Sequence, residues 1–162
     1  MPGRLGSAIR TTETEPGSNL PSTSAVFVQV GDVSYGRLTG ITLSLWLRNL
    51  GGASSSGGLV SHLSRFGAVF EGGYSLDYGD GRLHWTLVDP ATATATLVSV
   101  AGLADPVWQH VAATWDAATA TAIIYRDGER IETWTHAALD LGTGPWPLKF
   151  GQTTINEAEF EG

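Results

Sequence analysis

From Ala25 onward, apolar and polar residues alternate with a period of two, the spacing of side chains along an extended strand. The clearest case is Ile41 to Arg48. Ile41, Leu43, Leu45 and Leu47 fall on one face and Thr42, Ser44, Trp46 and Arg48 on the other, so the segment reads as a half-buried strand with an aromatic on its second face. The same period predicts strands at residues 25–30, 59–65, 74–78, 82–88, 94–100, 107–114, 121–126, 130–136 and 147–150.

Turn residues separate these runs. Gly79-Asp80-Gly81 and Asp127-Gly128 are hairpin signals, because Gly and Asp tolerate the positive φ that tight hairpins require. The run Gly51-Gly-Ala-Ser-Ser-Ser-Gly-Gly58 reads as a flexible loop. No stretch of helical length has a 3.6-residue apolar stripe with capping residues, so the chain reads as all-β. Two alternating Ala/Thr runs, 91–97 and 117–123, look alike, but their surroundings differ and do not make an internal repeat.

Residues 1–24 break the pattern. They hold Gly3, Gly6, Pro16, Gly17, Asn19 and Pro21 among many Ser and Thr, with Leu5, Ile9 and Leu20 as the only sizeable branched apolar side chains. Such a segment buries too little surface to offset its own ordering entropy. It reads as an extended polar arm, either a disordered leader or an arm that orders against a neighbouring subunit. Residues 25–162 then form one domain, since 162 residues with 42% hydrophobic content suffice for one core and not comfortably for two.

Charge and chemistry narrow the function. The net charge is −7, with Lys149 the only lysine and the eight arginines scattered, so no surface is expected to neutralise a row of phosphates. The absence of cysteine excludes disulfides, thiolate chemistry and zinc–thiolate sites. No segment approaches membrane-spanning length, and the N-terminus lacks the apolar stretch of a signal peptide. That pattern fits a form without its leader or a virion protein released by lysis.

The order of short motifs carries a resemblance. Trp108-Gln-His-Val-Ala112, Trp115-Asp116, Tyr125-Arg-Asp-Gly128 and Pro147-Leu-Lys-Phe-Gly151, preceded by Phe27-Val-Gln-Val30 and Ile41-Thr-Leu-Ser-Leu-Trp-Leu47, resemble the laminin G-like and pentraxin-like group of the concanavalin A-like jelly rolls. The resemblance runs from about Ala25 to Gly162 and implies an antiparallel jelly-roll β-sandwich, with Trp46, Trp108 and His110 in structural roles. Two features depart from the family: residues 12–24 have no aromatic-Asp-Gly segment, and no closing strand of Ile-Asp-Glu-Val type follows Phe160 to Gly162. A jelly roll without that strand leaves a row of unpaired backbone groups, which the arm or another chain is expected to fill. Leu5, Ile9, Leu20 and Phe160 are the candidate assembly residues.

Candidate sites follow from residue type. Trp85, Trp134 and Trp146 lie near turns or among polar neighbours, where an exposed indole can stack on a sugar or an aromatic partner; the alternative is that they cap the core beneath loops. The resemblance allows calcium, for which Asp80, Asp89, Asp105 and Asp140 offer loop carboxylates, but their spacing is that of ordinary turns. Glu157, Glu159 and Glu161 share one face of an extended segment, as the acids of jelly-roll glucanases do, yet they also read as solvated terminal acids. His62, His84, His110 and His136 fall on separate strands without ligand spacing, and no nucleophile motif is present. The expectation is a noncatalytic recognition or assembly domain, virion or extracellular, whose partners are protein subunits or surface glycan and which works as an oligomer or part of a larger assembly. A secreted glycan-binding module and, more distantly, a β-glucanase are the alternatives.

Overall fold

The computed structural model describes residues 2–3, 6–7, 28–33, 36–49, 57–66, 69–92, 94–101, 103, 106–135, 139, 141–144 and 146–152. All regular elements among them are strands: β1 (Pro2–Gly3), β2 (Gly6–Ser7), β3 (Val28–Val33), β4 (Gly36–Leu38), β5 (Gly40–Leu47), β6 (Gly57–Phe66), β7 (Val69–Gly79), β8 (Arg82–Asp89), β9 (Thr94–Ala101), β10 (Gln109–Asp116), β11 (Thr121–Arg126), β12 (Glu129–Thr135), β13 (Leu141–Thr143) and β14 (Trp146–Phe150). Two antiparallel sheets form the body, a four-stranded one ordered β12-β11-β10-β5 and a six-stranded one ordered β3-β14-β6-β7-β8-β9. A small β13-β4 pair and a β1-β2 pair accompany them.

Both hairpin signals are realised. Asp80 and Gly81 have φ of 53° and 70°, and Asp127 and Gly128 have φ of 51° and 86°, the paired left-handed residues of a turn whose twist matches its strands. Several bounds differ from the pattern-based ones. β6 begins at Gly57, inside the run that reads as a loop, and β7 begins at Val69, five residues before the Tyr74 start, because pairing with a neighbouring strand extends a segment beyond its own apolar signal. β4 and β13 carry too few residues for a periodic signal.

The alternation along β5 sorts its side chains as its pattern suggests, and the registers carry that sorting across the sheet. Val111, Ala113 and Trp115 of β10 and Ala122 and Ile124 of β11 face inward to meet Tyr74, Leu76, Tyr78, Leu83, Trp85 and Leu87 of the opposing sheet in one buried cluster. Leu139 and Leu141 close one end of it. The indole N–H of Trp85 donates to the carbonyl of Thr114 across the sandwich at 3.2 Å, so this core indole keeps its one polar group satisfied.

Candidate functional site

The tryptophans do not divide as their sequence neighbours suggest. Trp85 is 0% exposed and lies at the centre of the core, which corrects its reading as a surface platform: its strand position, between Leu83 and Leu87 on the inward face, outweighs its polar neighbours His84 and Thr86. Trp146 is half-buried, and its ring stands 5.9 Å from that of His62, which is 5.4 Å from Tyr74, which is 6.0 Å from Trp85. These four rings form a ladder across β14, β6, β7 and β8, so Trp85 and Trp146 are linked inside the sandwich. His62, fully buried, also bonds through Nε2 to the carbonyl of Trp146 at 3.1 Å. Trp134 is half-buried against the core from β12 and is not drawn to the other two.

Trp46, assigned to the core by resemblance, is 39% exposed. Its position opposite Leu45 and Leu47 in the alternation places it on the outer face of the four-stranded sheet. The register sets Trp46 beside His110 with ring centroids 5.2 Å apart, and Ser44 Oγ shares a 2.8 Å hydrogen bond with His110 Nε2. His110 is held from behind: its N–H donates to Asp127 Oδ1 at 2.9 Å, and the N–H of Asp127 donates to its carbonyl at 2.8 Å. The next rows on this face are Ser44, Ala112 and Tyr125, then Thr42, Thr114 and Ile123. Trp108 is half-buried, with the Arg48 guanidinium 5.8 Å from its ring. The signal for Trp46 was present in the chain, since an aromatic at a polar position of an alternating strand points out of the core.

A second feature opens at the flank of β5. Among the described residues no strand pairs with the outer edge of β5. A slot of about 440 Å³ lies there, walled by Ile41, Thr42, Leu43, Ser44 and Leu45 on one side and by Val60, Tyr74, Leu148 and Phe150 on the other. Ile41, Leu43 and Leu45 are therefore only half-buried, and Phe150 is 39% exposed. The opposite edge strand, β12, exposes Glu129, Arg130 and Glu132, charges that discourage strand pairing, whereas β5 has no charged residue between Gly40 and Leu47.

Of the loop carboxylates, Asp80 sits in the β7–β8 turn and Asp89 at the far end of β8, where its Oδ1 accepts from the N–H of Ala91 at 2.8 Å. These are turn roles, and among the described residues no group of three His, Asp or Glu side chains is placed to hold a metal ion. Asp105, Asp140, His136, Leu5, Ile9, Leu20 and the acids Glu157, Glu159 and Glu161, with Phe160, lie outside the described residues. No helix among the described residues is long and apolar enough to cross a membrane.

Residues 22–162 match the Laminin_G_3 family profile, described as the concanavalin A-like lectin/glucanases superfamily. No curated protein matches the chain. Among solved structures, the binding domain of Paraclostridial Mosquitocidal Protein 1 is similar with a TM-score of 0.70 and 17% identity over 100% of this chain and 37% of that one. Mouse laminin α1 chain domains LG4-5 are similar at 0.62 and 17%, over 84% and 36%. A Ruminococcus gnavus sialidase module, CBM40, bound to α2,3 sialyllactose, is similar at 0.61 and 15%, over 83% and 86%. The chain thus spans little more than a third of the laminin and mosquitocidal structures.

Proposed function

Because the chain belongs to the concanavalin A-like lectin/glucanases superfamily, its sandwich is a scaffold that supports recognition as readily as catalysis, and we propose that here it is a noncatalytic recognition and assembly domain. In this reading it is a structural or adhesion part of a virion or another extracellular assembly and holds a neighbouring protein subunit. The observation that carries the proposal is the open flank of β5. Five consecutive residues of β5 line the slot although their side chains alternate between faces. What they share along that edge is backbone, and an added extended segment satisfies backbone N–H and C=O groups while its alternate side chains enter the slot.

Light scattering on the full chain tests this. The expected result is a mass above the 17.1 kDa of one chain, reduced to one chain by Leu43→Lys and by Phe150→Lys, which place a charge on either wall of the slot. A wild-type monomer at all concentrations, or variants that associate unchanged, sinks the reading. A second reading, a secreted module that binds glycan, is favoured by the exposed Trp46 and the polar groups beside it.

A further inference from the structure

We propose that the outer face of the four-stranded sheet holds a binding site for an uncharged pyranose ring, built by Trp46, Ser44 and His110 around the floor of Ala112. The site rests on the glycan-binding reading of the chain; it shares Ser44 with the rim of the β5 flank but faces outward from the sheet.

Trp46 offers a rigid apolar face, and the C–H face of a pyranose is the matching surface, whereas its hydroxyl rim needs donors and acceptors close by. Both are present in adjacent rows. Ser44 Oγ and His110 Nε2 satisfy each other at 2.8 Å in the free protein, a pair that can turn outward together to a sugar hydroxyl. The two bonds between Asp127 and the His110 backbone hold the strand end that carries the imidazole, so little backbone order is lost on binding. Between Ser44 and Tyr125 the register places Ala112, whose methyl is the smallest side chain of the row and leaves a shallow floor flanked by Trp46 and Tyr125.

Charge argues for a neutral ring. Thr42, Ser44, Trp46, His110, Ala112, Thr114, Ile123 and Tyr125 supply no fixed charge. At the margins, Arg48 is directed to the ring of Trp108 and Arg130 stands beyond Tyr125. A carboxylate or sulfate on the ligand meets no dedicated partner at the floor, and the chain's net charge of −7 opposes its approach.

The test is a titration of the full chain, followed by amide and indole NMR shifts, with neutral gluco-, galacto- and manno-tetrasaccharides and with a sialylated trisaccharide. The expected result is saturable binding of a neutral series, with shifts at the Trp46 indole and the amides of Ser44 and Ala112. Trp46→Ala and Ala112→Leu should each weaken it at least about tenfold, and Ser44→Ala about threefold to fivefold, the scale of one stacking face and one hydrogen bond. Because Ala112 is 9% exposed on a central strand, the Trp85 indole shift and the unfolding midpoint of each variant are compared with wild type, which separates lost binding from a folding defect. The site is overturned if no neutral saccharide binds, if the shifts map elsewhere, if Trp46→Ala binds as wild type, or if the sialylated sugar binds as tightly as the neutral ones. Those outcomes leave the association measured by light scattering untouched.

Discussion

Two glycines with positive φ separate backbone strain from collision. At Gly128, φ is +86° and an added Cβ meets nothing within 4 Å, so Gly128→Ala carries only the left-handed penalty of about 1–2 kcal/mol. At Gly73, φ is +105° and the added Cβ runs into the carbonyl of His62 on the paired strand, which cannot move without breaking the β6–β7 ladder. Urea unfolding should show Gly73→Ala destabilised well beyond Gly128→Ala, by about 4 kcal/mol or more if it folds at all. Equal losses would mean that the β6 backbone gives way. The Asp-Gly hairpin of Gly128 was legible in the chain because its signal is local. The role of Gly73 was not, because the atom that excludes a side chain there belongs to another strand. Trp85 and Trp46 differ in what misled: polar neighbours suggested a surface position for Trp85 that the pleat reverses, whereas for Trp46 the pleat already pointed outward and the resemblance alone suggested the core.

The strands themselves were legible from period two, and their order in the sheets was not. Nothing within Ile41 to Leu47 distinguishes an edge from a centre, since the alternation is the same in both places. Among the described residues β5 stands at an edge, and that position has a measurable cost. Leu76, 0% exposed on β7, should lose about 2–5 kcal/mol as Leu76→Ala. Leu43 has the same side chain but is half-buried beside the slot, and Leu43→Ala should lose about half as much or less, because truncation there widens a space already open. Comparable losses in chemical denaturation of the isolated chain would show that the flank is already covered.

Among the described residues a single buried cluster joins both sheets and the β13 side of the sandwich, and no internal boundary divides it. The described body should therefore unfold in one cooperative step, with calorimetric and van't Hoff enthalpies that agree. Two resolved transitions would mean that the sheets are separately stable units. At this scale the chain disclosed its class, through turn spacing and motif order, but the order of the described strands in each sheet arises from long-range pairing that no local pattern records. The open edge of β5 has a consequence for growth under the proposed function. In that reading an acceptor flank and a donated segment are different surfaces, so each contact would be heterologous, and a subunit with one of each would have a valence of two. Assembly by this route would close into rings or extend as unbranched filaments instead of spreading into sheets or networks.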